Sequence, residues 1–514
     1  MKSFVETIWN RKYYLAVTAG ILLGISYPPF PFPFLMFPAF VLLIRLASLS
    51  VSGRETAYFT FISFVIWNTI ATYWLSFATV AGGISAILAN AAIMTLPFIL
   101  VRYFVGAGRH PLAMAVSVAS VWTIYEFLHY RWDLAWPWLS AANAFSNSVV
   151  IVQYIAYTGS LGITFWIVFS SALVYYFLVT RNKRVLNYAL SAVFLPVMIS
   201  VVIYYTYTDN PDHTIEVVVV QPNHDSYLEM SGFSNSFDPL VDMLDLSGEK
   251  ISEETRLVLW PENALMSSVH ENRPGSNDLY ILSRVKEWGI PLITGAALYR
   301  YYEPGDEPPV YRRFNESPPY NVYNAAVKYS PDGNISSYGK GKLVPIVERI
   351  PFVEQLQYIP VPGIDWAGIS GFGRGQETTV FEIDDTVLPA VICYDSVFPD
   401  WVRRFVKQGS GVITVITNDG WWGNTSGHIQ HYDFARLRAI ENRRAVIRSA
   451  NNGISGMILS NGDVHSKTEY WTRDVLALDV PVYSNLTFYT RFGDLIGYFC
   501  MLGLIPGFIG RKNI

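Results

Sequence analysis

The chain has 514 residues, room for about three ordinary domains, and only 15% of them are charged against a usual ~25%. Residues 1–210 hold 11 basic and 5 acidic side chains, whereas the remaining residues hold 26 and 36. One part is suited to lipid and the other to water, which excludes an ordinary cytosolic enzyme and a disordered chain; the acidic second part argues against nucleic acid as a partner.

Seven apolar stretches precede residue 210, at about 13–27, 32–48, 57–80, 84–105, 112–130, 158–180 and 185–206, and an eighth runs over 492–509. Most approach the ~20 residues that cross a bilayer, so eight transmembrane helices are expected. The first run has a basic start and no small-residue cleavage site before a polar region, and reads as a retained span. Lys2, Arg11, Lys12, Arg45, Arg54, Arg102, Arg109, Arg181, Lys183, Arg184, Arg511 and Lys512 all fall in connections on one side; the short connections of the other side hold only Arg131. The positive-inside rule then places both termini in the cytoplasm and residues 207–490 across the membrane. Glu126 lies within the fifth run, where an ionisable group marks either a functional position or a group near the interface beside His129 and Arg131. Both readings stay open.

From Thr214 the pattern changes to short β-branched runs: 215–220, 257–260, 291–297, 387–394, 411–417, 445–449 and 454–459. Helix-like segments over 277–288 and 431–444 intervene, so an α/β layered domain is expected. The Pro-rich, charged stretch 302–323 reads as a surface loop, and the Gly-rich stretch Trp366 to Arg374 as a mobile lid.

Three functional groups stand at the ends of strand-like runs. Leu257–Trp260 leads to Pro261-Glu262-Asn263; Tyr338-Gly-Lys340-Gly-Lys342-Leu-Val-Pro345 leads to Glu348; Ala390–Ile392 leads to Cys393-Tyr394-Asp395. A thiol becomes a strong nucleophile when a base takes its proton, a carboxylate can be that base, and a lysine cation can stabilise an oxyanion. Singly, each has a duller reading: a buried small hydrophobe, a turn carboxylate, a solvated loop cation. Lys342 rivals Lys340, and the spacing to Leu343-Val344-Pro345 favours Lys340. Cys393 and Cys500 are too few for a disulfide framework. His428 and His431 have metal-like spacing but no evident third ligand, so no metal and no cofactor is expected. Trp421 and Trp422 suit either acyl-chain contact or plain packing.

With these motifs, together with Thr417-Asn-Asp-Gly-Trp-Trp-Gly423, Arg448 to Gly453, Trp136-Pro-Trp-Leu139 and Gly159-Ser-Leu-Gly162, the whole chain resembles the apolipoprotein N-acyltransferases, the membrane branch of the nitrilase superfamily. The resemblance implies an α-helical membrane domain of seven helices over 1–209, an α/β nitrilase-like αββα sandwich over 210–488, and an eighth span with its tail over 489–514. It implies Glu262 as base, Lys340 as oxyanion partner and Cys393 as nucleophile, with Glu348, Tyr394, Asp395 and Trp421 in support. Asp395 stands where the family usually has Glu, and Tyr227 or Phe233 where many members carry a functional Trp. The implied reaction moves an acyl chain from a membrane phospholipid, through a thioester, to the N-terminal amine of a diacylated apolipoprotein. The implied setting is the bacterial inner membrane, with a periplasmic catalytic domain and a monomer. A membrane-anchored amidase and a non-catalytic lipid-binding scaffold are the competing readings.

Overall fold

The computed structural model describes residues 9–106, 110–314, 317–362 and 364–509. Lys2, Arg109, Arg511 and Lys512, four of the sorted basic residues, lie outside them.

Four helices are long and apolar enough to cross a membrane: Val80–Phe104, Pro111–His129, Leu161–Thr180 and Lys183–Thr206. Lys12–Gly24, Pro33–Leu49 and Leu495–Gly507 are shorter apolar helical segments. Gly53–Thr72 has 20 residues but opens on Arg54 and Glu55. Side chains start several of these helices: Ser52 accepts from Glu55 N, Thr79 from Gly82 N and Asn182 from Arg184 N. On Lys183–Thr206, Phe194, Leu195, Met198 and Val202 all point outward, as suits an apolar solvent. Lys12 pairs with Glu55 at 2.6 Å, Arg102 donates to the carbonyls of Ser50 and Val51, and Arg45 to that of Trp9. Lys12, Arg45 and Arg102 thus lie at one end of the bundle.

The second part of the chain is a sandwich of two sheets. In the first, β14 (Asp474–Val482), β1 (His213–Gln221), β2 (Thr255–Leu259), β4 (Leu292–Tyr301), β5 (Tyr320–Tyr329) and β6 (Ile335–Gly339) lie in that order, with β3 (Val269–His270) on β4. In the second the order is β13 (Val464–Lys467), β12 (Gly456–Ile458), β11 (Val446–Ala450), β10 (Ile413–Thr417) and β9 (Val391–Ile392). The two-residue period of a strand divides the first sheet's apolar residues between two cores. Val217, Val219, Leu257, Leu259 and Ile293 meet the second sheet, while Val218, Val220, Val258 and Leu292 meet the helices Asp238–Gly248 and Ser276–Trp288. Helices Pro399–Lys407 and Ser426–Asn442 pack on the same core as the second sheet, which completes an αββα arrangement. Burial on both faces explains why these strands read as continuous apolar runs.

Two expectations need correction. Residues 320–323 of the supposed loop open β5, which pairs with β4 over ten residues from Leu292↔Tyr329 to Tyr301↔Tyr320. The run 387–394 is not one strand: β8 (Thr386–Leu388) pairs with β7 (Phe381–Ile383), and the chain restarts after Pro389 as β9, because proline gives no donor to a ladder.

The helical bundle and the sandwich share one hydrophobic core. Gln430 ties them: its amide donates to the carbonyls of Pro28 and Ala71 at 2.8 and 3.0 Å, and its Oε1 accepts from the Trp74 and Trp138 indoles. Arg438 and Glu441, paired at 2.7 Å and fully buried, hold Ser160.

Candidate active site

β2 stops because Pro261 cannot donate to the ladder, and Asn263 turns back with φ +53°. Glu262 is thereby delivered to the sheet end beside Gly295 of β4. A Cβ on Gly295 would lie 2.5 Å from Glu262 Cα, so the approach requires glycine. Lys340 follows the last residue of β6. Its neighbour Gly341 runs against the Trp401 ring, where a Cβ would lie 2.0 Å from the indole.

These elements bring a cation between two carboxylates. Lys340 Nζ lies 2.7 Å from Glu348 Oε1 and 3.2 Å from Glu262 Oε1, with the lysine and Glu262 buried. Asn324 of β5 donates to both, at 2.8 Å to Glu262 and 3.0 Å to Glu348. The remaining carboxylate oxygens accept backbone N–H groups: Asn418 N to Glu262 Oε2 at 3.0 Å and Val344 N to Glu348 Oε2 at 2.7 Å. Burial alone would drive the Lys340 ammonium to lose its proton, but the two glutamates outweigh it and hold the group well above its usual range. Lys342 goes elsewhere: its ammonium lies over the Phe398 and Trp401 rings at 5.1 and 5.2 Å.

Cys393 follows β9 and begins a short 3-10 turn, Cys393–Val397, with its own backbone left-handed at φ +45°. Such strain in a residue with a side chain marks a place that the surroundings over-determine. Burial pushes the thiol well above its ordinary range and the Glu262 charge adds to this, while Lys340 opposes it. The resting group is therefore a neutral thiol that needs a base, and Glu262 and Lys340 are both within electrostatic reach of it.

Tyr394 donates to the Ala135 carbonyl at 2.9 Å and stacks on Trp136, so the residue after the thiol is anchored to the segment that follows the helix Pro111–His129. Asp395 is fully buried; Lys342 N donates to Oδ1 at 2.6 Å and Tyr338 OH to Oδ2 at 2.8 Å. Burial lifts its carboxyl to about 7, against the pull of Lys340. Asp395 thus braces the lysine and cysteine loops against each other. Trp421 is exposed and meets Tyr227 edge-on at 6.3 Å, whereas Trp422 packs on Trp74 at 4.7 Å. Tyr227 also stacks on Trp471 at 6.0 Å; Phe233 turns aside onto His224.

Asn324 and Trp471 escaped the sequence reading. A polar residue inside the apolar pattern Val322 to Val327 could have signalled Asn324, had the stretch been read as a strand. The fold also supplies the partners that His431 lacked: Cys393, Asp419 and His431 present ligand atoms within 4.8 Å of one another. Arg448 already provides the cation there, bonding Asp419 and standing 2.9 Å from His431 Nδ1. Against burial, Arg448 and His431 hold the Asp419 carboxyl far below its usual range. The loop 366–374 is pinned at its end, Gly373 N to Val322 O at 2.8 Å and Gly375 N to Lys340 O at 3.0 Å. Glu126 is buried among neutral donors. It accepts from Trp122 Nε1, Ser140 Oγ, Ala141 N and Thr164 Oγ1, all at 2.7–2.9 Å.

Comparison with known proteins agrees with this division. Residues 19–173 match the family model described as Apolipoprotein N-acyltransferase N-terminal domain, and residues 218–484 match Carbon-nitrogen hydrolase. An apolipoprotein N-acyltransferase of Chlorobaculum tepidum is 30% identical over 97% of this chain and 96% of its own. One of Geobacter metallireducens is 24% identical over 97% and 95%. Among solved structures, a Saccharomyces cerevisiae member of branch 10 of the nitrilase superfamily covers 54% of this chain and 93% of its own, at 15% identity and a TM-score of 0.39.

Proposed function

The chain belongs to the apolipoprotein N-acyltransferase family, and from that premise we propose that Cys393, Glu262 and Lys340 carry the acyl chain between its two lipid substrates. The enzyme transfers an acyl group from a membrane phospholipid to a lipoprotein acceptor. In the first half-reaction the Cys393 sulfur attacks the ester carbonyl at the sn-1 position while Glu262 takes the thiol proton. Lys340 stabilises the oxyanion. Collapse breaks the ester bond, Glu262 returns the proton to the leaving lysophospholipid oxygen, and a thioester remains on Cys393.

In the second half-reaction the α-amine of the diacylglyceryl-cysteine attacks that thioester. Glu262 accepts the amine proton and passes it to the departing sulfur, which leaves an amide and the free thiol. One pocket serves donor and acceptor in turn, which is ping-pong catalysis. The observation that carries this reading is the Lys340 ammonium gripped by Glu348 at 2.7 Å while sharing Glu262 at 3.2 Å. The tighter partner holds the cation in place and leaves Glu262 the looser, proton-accepting role.

We infer a membrane domain of seven transmembrane helices within 1–209, a catalytic domain over 210–488, and an eighth transmembrane helix with a cytoplasmic tail within 489–514, with cytoplasmic termini, a periplasmic catalytic face and residence in the inner membrane. Exposed Ile346, Val347, Tyr358, Ile359 and Ile369 on the loops after Lys340 suit contact with lipid, and the enzyme works as a monomer. The test is mass spectrometry of a diacylated lipopeptide incubated with phospholipid and purified protein. A gain of one acyl chain on the peptide amine supports the reading, whereas release of free fatty acid without transfer refutes it.

A further inference from the structure

The thiol is held by groups that the two half-reactions do not use. A left-handed backbone at φ +45° is one that a residue with a Cβ resists, so it needs outside support. The Cys393 carbonyl accepts from the Ser396 hydroxyl at 2.6 Å and faces His431 Nε2 at 3.2 Å. The same Nε2 lies 3.0 Å from Ser396 Oγ. A carbonyl can only accept and a guanidinium can only donate, so the contacts of His431 with Cys393 O and Arg448 Nη2 are both hydrogen bonds when Nε2 carries the ring proton and Nδ1 accepts, with Asp419 then bonded to Arg448 rather than to the ring. Nδ1 lies 2.9 Å from both Asp419 Oδ1 and Arg448 Nη2, and all three residues are fully buried. Trp138 of the membrane part covers the ring at 5.5 Å and Trp422 at 5.8 Å.

We propose that His431 is a positioning residue for the nucleophile: its Nε2–H and the Ser396 hydroxyl clamp the Cys393 carbonyl, and Trp138 seats the ring from the membrane side. Because the peptide unit is planar, fixing that carbonyl fixes the turn through Cys393 and Tyr394, and with it the direction of the sulfur. The inference rests on the reading of Cys393 as nucleophile.

Single-turnover acylation of the full-length protein in vesicles of labelled phospholipid tests it. A glutamine amide reaches where Nε2 stood, an asparagine amide only where Nδ1 stood. His431→Gln should acylate within about fivefold of the wild-type rate and His431→Asn about 100-fold slower, both at unchanged half-saturating phospholipid. Equal losses in the two variants, or no loss in His431→Asn, would overturn the clamp. Should neither variant fold, Ser396→Ala removes the second donor at the same carbonyl. Acylation about tenfold slower supports the clamp, and a wild-type rate overturns it. Cys393→Ala separates the two ideas: acylation that persists there sinks the nucleophile itself, whereas its loss beside equal Gln and Asn variants sinks only the clamp.

Discussion

Two buried glutamate sites, one in each part of the molecule, are built on opposite plans. Glu126 in the helix Pro111–His129 accepts from four neutral donors and, among the described residues, pairs with no cation. Glu262 and Glu348 share a lysine and an asparagine, and the charges of Glu262 and Lys340 act on the thiol of Cys393, whose backbone is left-handed. A carboxylate whose acceptor capacity is filled by fixed neutral groups is a structural fastening. One that shares a fixed cation with a second carboxylate beside a nucleophile is poised for chemistry. Buried ionisable groups are therefore sorted by what surrounds them, not by burial.

Removing Lys340 breaks the catalytic plan most severely. Lys340→Met leaves the buried Glu262 and half-buried Glu348 carboxylates without their cation and the oxyanion without its partner, and turnover should fall by about 10^3-fold or more. An acyl-transfer assay on folded protein checks this. Glu126→Leu attacks the other plan. Four donors lose their acceptor, so stability should drop by at least about 3 kcal/mol while activity per folded molecule stays within a few-fold. Thermal unfolding beside the same assay reads both.

Asp395 lies between these plans. Its carboxyl sits at about 7 in the folded state, above an unfolded value near ~4. Folding therefore favours the protonated acid; that stabilisation is full below about pH 4 and is lost as pH rises through about 7. Asp395→Asn should flatten the fall in melting temperature between about pH 5 and pH 8. An unchanged slope would remove Asp395 as its source. The smallest effect is expected at exposed Trp421, where alanine should leave stability within about 0.5 kcal/mol and raise only the acceptor KM.

The order Glu262, Lys340, Cys393 was legible because each follows a strand and stands beside a Pro, a Gly or a turn that ends it. The apolar runs were legible as helices, and four of them satisfy length and composition together. What sequence did not disclose were groups brought in by pairing over long distance. Asn324 sits in β5, hidden in a stretch whose Pro and charge content suggested a loop. Asp419 and Arg448 meet His431 only because β10 and β11 are parallel neighbours, with Thr417 opposite Ala450. The role of Glu126 depended on Ser140 and Thr164, which lie on separate segments and carry no periodic signal.

The most direct test is whether the acyl chain is carried on Cys393. Incubating the protein with phospholipid alone and mapping its peptides by mass spectrometry should find one acyl chain on the peptide containing Cys393, discharged when the diacylated lipopeptide is added. An acyl chain on any other residue, or acyl-protein formed equally well by Cys393→Ala, would contradict it.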